Sequence, residues 1–112
     1  MNALFVELPA FERFRAEYLD DEAFRNLQAE LMRDPLAGDL IEGAGGLRKL
    51  RFADGRRGKG KRGGLRVIYF WWVSRHQFWL FTLYGKDEMA DLTPGQRARL
   101  KELLKAELED RA

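Results

Sequence analysis

From its amino end the chain first alternates. In LFVEL, residues 4–8, Leu4, Val6 and Leu8 interleave with Phe5 and Glu7, the two-residue period of a short strand, and Pro9 then permits a helix to begin. The period lengthens in AFERFRAEYL, residues 10–19, where Phe11, Phe14 and Tyr18 recur at helical spacing. It stays long in DDEAFRNLQAELMRD, residues 20–34, with Phe24, Leu27 and Leu31 on one side, Asp20 or Asp21 as N-cap and Pro35 just past the end. Two helices, or one bent pair, are expected.

PLAGDLIEGAGG, residues 35–46, reads as a glycine-rich connection leading into LRKLRF, residues 47–52, where Leu50 and Phe52 alternate with Lys49 and Arg51. That is a second strand with a basic outer face. The next stretch, RRGKGKRGG, reads as an irregular loop, because glycine disfavours regular structure and the cations repel one another. RVIYFWWV and FWLFTLY are β-branched, aromatic and almost continuously apolar, and only SRHQ separates them. They predict a hairpin at the centre of a sheet covered on both faces. The chain closes with TPGQRARLKELLKAELED. Thr93 as N-cap, Pro94 at the first helical position and Gln96 three residues after the cap start a helix, and Leu100, Leu103, Leu104 and Leu108 form its apolar stripe. The order β-α-α-β-β-β-α predicts an α+β domain: a small, mainly antiparallel four-stranded sheet with N-terminal helices and a C-terminal helix packed on it.

Length and composition narrow this further. A chain of 112 residues, 46% hydrophobic, suits one domain with one modest core, spanning 1–112. It has no cysteine, which removes thiolate nucleophiles, disulfides and Cys-based metal sites. The N-terminal segment lacks the pattern of a secretory signal and no apolar stretch approaches a membrane span, so a soluble cytoplasmic protein is expected, without membrane contact.

Charge changes the picture most. The formal net charge is +2, yet residues 1–42 hold four Lys/Arg against ten Asp/Glu, residues 43–86 hold eleven against one, and residues 87–112 hold five against seven. A nearly neutral chain with a cationic middle third presents one positive surface to a polyanion.

Candidate chemistry follows largely by elimination. The single histidine, His76, falls in the predicted hairpin turn, so neither a His-dependent triad nor a His-rich metal centre is available. Carboxylates lie mainly on helices, and the basic segment contains only Asp54; no metal or cofactor site is expected. GKGKRGG lacks the Ser/Thr of a nucleotide-binding P-loop. What remains is cation chemistry. Lys59 and Lys61, two apart, would face one side in extended chain, and Arg66 at the start of the third strand could join them. In the hairpin, Arg66 falls beside Tyr84, Gly85 and Lys86. Such an edge suits cleavage of RNA by its own 2′-hydroxyl, which needs a proton acceptor, positive charge on the phosphorane and a proton donor for the leaving 5′-oxygen. Arg48, Lys49, Arg51, Arg56, Arg57 and Arg62 would hold RNA or the ribosome. The same patch equally suits a non-catalytic RNA- or ribosome-binding module. A DNA-binding regulator fits less well, since the cations fall on a loop and strands instead of a recognition helix.

GDLIEGAGGLRKLRF, GKGKRGGLRVIYF and LFTLYGKDEMADLT together resemble the RelE/HigB group of bacterial toxins from type II toxin–antitoxin modules, especially the HigB-like branch, and the similarity extends over nearly the whole chain. The resemblance implies an α+β fold related to microbial ribonucleases and cleavage of mRNA in the ribosomal A site. It also implies a cognate antitoxin, commonly of helix-turn-helix type, through whose complex operator DNA is bound. Position by position, Lys59 and Lys61 resemble the paired loop lysines, Arg66 the phosphate-binding arginine and Lys86 the basic residue after the last strand. Several RelE-type toxins place a tyrosine in the C-terminal segment, where this chain has DEMADLT, and some HigB toxins use histidines that it lacks. The general acid and base therefore stay open, with Tyr84 a candidate.

Overall fold

A computed structural model describes residues 2–111. Strand β1 (Leu4–Glu7) leads into helix α1 (Pro9–Tyr18), and helix α2 (Asp21–Arg33) follows after a break at Leu19 and Asp20. The Asp20 carboxylate makes that break by accepting a hydrogen bond from Ala23 N–H at 2.8 Å, satisfying one of the donors left free at a helix start. Then come β2 (Asp39–Leu40), β3 (Arg48–Phe52), β4 (Leu65–Trp72), β5 (Gln77–Gly85) and helix α3 (Pro94–Arg111). The α3 start is a reciprocal capping box: Thr93 N–H donates to Gln96 Oε1 at 2.8 Å and Gln96 N–H to Thr93 Oγ1 at 3.1 Å.

The fold is α+β, as expected, but the sheet has five strands in the order β1-β5-β4-β3-β2, not four. The added strand, β2, is two exposed residues pairing antiparallel with β3, too short for any alternation to announce it. The ladders β3–β4 and β4–β5 are antiparallel, while β1 lies parallel to β5, with Leu4 opposite Gln77.

Alternation along the central strands divides the interior between two faces. Leu65, Val67 and Tyr69 of β4 and Leu50 and Phe52 of β3 join Phe11 and Tyr18 of α1 and Leu27 and Leu31 of α2. Ile68 of β4 and Trp79 of β5 face the other way, toward Leu92 and Leu104 of the C-terminal segment. Both faces of β4 and β5 are therefore covered, which accounts for their near-continuous apolar sequence. The Tyr69 hydroxyl pins the turn before β2 to the sheet, accepting from Gly38 N–H at 3.0 Å and donating to the Pro35 carbonyl at 2.8 Å. No helix among the described residues is long and apolar enough to cross a membrane.

Candidate nucleic-acid interface

The segment joining β3 to β4 is a loop, as expected, with one short 3-10 turn that its own charges hold in place. Asp54, only 2% exposed, accepts from Arg57 N–H at 3.3 Å and from Arg57 Nη1 at 3.0 Å, starting a single 3-10 turn over Gly55–Arg57. Gly58 closes that turn with φ of 64°, a conformation that side chains disfavour. Asp54 and Lys59 then exchange backbone hydrogen bonds of 2.7 and 2.9 Å. Arg56 Nη1 donates to the carbonyls of Ala16 and Glu17 at 2.7 and 3.1 Å, where the end of α1 leaves acceptors free and partial negative charge. Repulsion among these cations is offset because Arg56, Lys59 and Lys61 find acceptors outside the segment and Arg57 finds Asp54 within it.

At the sheet end beside this segment, residues from three neighbouring strands form one row. Arg51 of β3 pairs with Arg66 of β4, and Arg66 with Tyr84 of β5, all on the face toward α3. The sequence expectation that Arg66 adjoins Tyr84 agrees with this register. The side chains differ sharply within the row. Arg51 is exposed, with no hydrogen bond or ion pair among the described residues. Arg66 is 3% exposed: Nη1 donates to the carbonyls of Lys61 and Leu65 at 2.9 and 3.1 Å, and Nη2 to that of Arg62 at 2.8 Å. Tyr84 is 7% exposed and its buried hydroxyl has no partner. Burial pushes the Tyr84 phenol above its usual pKa, nearby Asp91 adds to this, and Arg66 opposes it. The hydroxyl therefore holds its proton at neutral pH.

The two loop lysines pair with different elements. Lys59 Nζ reaches Asp87, just after β5, at 2.7 Å, and Lys61 Nζ reaches Glu30 of α2 at 3.4 Å. The two ammoniums thus face carboxylates on different elements and do not share one site. Lys86 bridges backbone: its N–H donates to the Gly64 carbonyl at 2.9 Å and its Nζ to that of Ala90 at 3.0 Å. Arg48 donates to the Gly38 carbonyl at 2.8 Å, and Lys49 pairs with Asp91 at 3.2 Å. Arg62 is exposed without a side-chain partner among the described residues. Lys59, Lys86, Arg66 and Tyr84 thus gather at one sheet end with Arg51 beside them, while Lys61, Arg48 and Arg56 diverge.

Sequence reasoning missed the acidic partners Glu30, Asp87 and Asp91. Its only signal for the last two was that DEMAD follows the last strand directly. On the far side of Tyr84 a cavity of about 600 Å³ opens between α1 and α3, lined by Phe14, Leu100 and Leu103, with Tyr18 donating its hydroxyl hydrogen bond to Glu88 at one end. Its lining is mainly apolar, and Lys59, Lys86, Arg51 and Arg66 lie outside it.

Compared with models of protein families, the chain matches none.

Proposed function

We propose that this chain is a ribosome-dependent endoribonuclease of the RelE/HigB kind, the toxin of a type II toxin–antitoxin pair, which inhibits translation by cutting mRNA in the ribosomal A site. The observation that carries the reading is the row Arg51–Arg66–Tyr84, flanked by Lys59 and Lys86, at one end of an α+β sheet. Its chemistry matches a cleavage in which the 2′-hydroxyl attacks the adjacent phosphate and the 5′-oxygen leaves. The guanidinium of Arg51, unspent on protein groups, meets the phosphorane as charge builds, and Lys59 and Lys86 add to the field. Tyr84, protonated at neutral pH, is the proton donor nearest the leaving oxygen in this reading, although burial makes it a weaker acid than a free phenol. A helix-turn-helix antitoxin as partner, and operator DNA bound only through that complex, belong to the same reading, as does action in the cytoplasm.

One observation favours a second reading, a binder of RNA or ribosomes without catalysis. Arg66 spends its donors on loop carbonyls and the Tyr84 hydroxyl is shut from solvent, so both must be uncovered before either meets RNA. Primer extension on mRNA translated in a cell-free system separates the two. Codon-linked cuts support the nuclease, stalled ribosomes on intact mRNA support the binder, and unaffected translation at verified protein levels defeats both.

A further inference from the structure

Beyond the row of Arg51, Arg66 and Tyr84, the chain carries a carboxylate into a point where donors from two elements and the backbone converge. Asp91 accepts from Lys49 Nζ at 3.2 Å and from Leu92 N–H at 2.8 Å. Arg97, in the first turn of α3, lines the same cavity of about 170 Å³ as Lys49, Arg51 and Asp91, and its Nη2 donates to the Leu92 carbonyl at 3.3 Å. The Leu92 N–H, then Lys49, and more weakly Arg97, hold the Asp91 carboxyl below its usual pKa. A backbone N–H, an ammonium and a guanidinium beside a helix start form a donor set for an oxyanion. Here the chain's own carboxylate takes up the ammonium and the backbone N–H, with Arg97 lining the same cavity. Exposed Asp39 and Glu42 border the cavity from the β2 side, so its charges balance while Asp91 stays in place.

We infer that Lys49, Arg97 and the Leu92 N–H form a subsite for a backbone phosphate of RNA, which Asp91 occupies in the free protein and RNA displaces. The RNA identity of the ligand rests on the function proposed above; the donor geometry does not. Lys49 precedes Arg51 by two residues on the same face of β3, roughly 6–7 Å along the strand, so one RNA strand can engage both. Displacement is easy, because the Asp91 carboxylate is 63% exposed and exposed ion pairs are weak. Asp91 is thus a built-in competitor that lowers RNA affinity until a longer or better-placed strand takes over the donors.

The test is fluorescence anisotropy with the full chain and a short single-stranded RNA, 2′-O-methylated so that it cannot be cut. Asp91→Asn keeps an oxygen for the Leu92 N–H but drops the charge, and should tighten binding about three- to tenfold at low salt. Asp91→Ser should do the same. Glu109→Gln, which removes an exposed carboxylate near the far end of α3, corrects for net charge and should change affinity by less than about twofold. The gain should vanish when Asp91→Asn is combined with Lys49→Ala or Arg97→Ala. An Asp91→Asn effect no larger than that of Glu109→Gln, a gain that survives loss of either cation, or absence of RNA binding in every variant overturns the subsite. Cleavage is read separately, by the primer extension described above. Tightened binding with mRNA left intact on ribosomes would defeat the nuclease reading alone, whereas a cutting enzyme indifferent to Asp91 would defeat the subsite alone.

Discussion

Arg66 and Tyr84 stand opposite each other in the β4–β5 ladder, yet they are bound in opposite ways: the guanidinium is saturated by carbonyls of the preceding loop, and the phenol meets no acceptor. The arginine therefore holds up the loop above the site as well as standing within it. Arg66→Ala should orphan the Lys61 and Arg62 carbonyls, cost about 2–3 kcal/mol and lower the melting temperature by on the order of 10 °C. Arg66→Lys keeps the charge but loses the fork, and should recover only part of the loss. Single-turnover cleavage, measured well below both melting temperatures at saturating ribosomes, should also fall for the alanine variant, because the loop that carries Lys59 loses its anchor on β4. A parental melting temperature in that variant would show that the carbonyl contacts carry no weight.

The loop lysines behave differently. Their ion pairs with Asp87 and Glu30 involve side chains that are mostly well exposed, and such pairs contribute about 0–1 kcal/mol each. Lys59→Ala combined with Lys61→Ala should leave the melting temperature unchanged or slightly lowered while abolishing growth arrest on expression. Marked loss of folded protein would make these lysines structural.

Alkaline titration offers a test of the interior. The chain has three tyrosines, and Tyr18, Tyr69 and Tyr84 all have pKa values raised above the ordinary 10.0, chiefly by burial. A group that holds its proton more tightly when folded contributes stability that is complete below its unfolded pKa. That contribution is lost as pH climbs from there through the folded value. Tyrosinate absorbance should therefore stay flat as pH passes 10 and then rise together with loss of far-ultraviolet dichroism. Early ionisation of even one tyrosine in the folded chain would contradict the burial described for it.

Adjacent glycines in the basic segment should respond unlike one another. A Cβ on Gly64 would lie 2.5 Å from the Phe52 carbonyl oxygen, 2.6 Å from that of Gly60 and 2.8 Å from Asp54 N, all backbone atoms that cannot swing aside. Gly64→Ala should cost about 1–3 kcal/mol and shift the urea midpoint accordingly. Gly63 has open space around it, and Gly63→Ala should be silent. Equal midpoints for the two variants would contradict the close approach of β3 to this loop.

Much of this arrangement is legible in the chain because it is local. The Thr93–Gln96 capping box lies within four residues, and a short turn between two long strands sets Arg66 against Tyr84 once the hairpin is recognised. Other features depend on distance. Nothing in LFVEL says that it runs parallel to β5, because its partner lies most of the chain away. Two exposed residues, Asp39 and Leu40, carry no period, so β2 is invisible. The order in the basic segment comes from Arg56 reaching α1 and Asp54 turning inward, choices made by acceptors that only the assembled fold supplies. The same holds for Asp91, one acid among several after the last strand until Lys49 is found beside it.

The parallel pairing of β1 with β5 has a consequence for synthesis. Strands β3, β4 and β5 are neighbours in sequence and can zip up as a meander soon after emerging, whereas β1 closes on β5 from Leu4 to Gln77, across well over half of the chain. Such a long-range contact raises contact order and delays completion of the sheet. During translation β1 emerges with no partner and must wait for Gln77–Leu80 before it can dock. A nascent chain halted before β5 would thus expose the apolar face of α1, and the finished surface would exist only once β5 had been read.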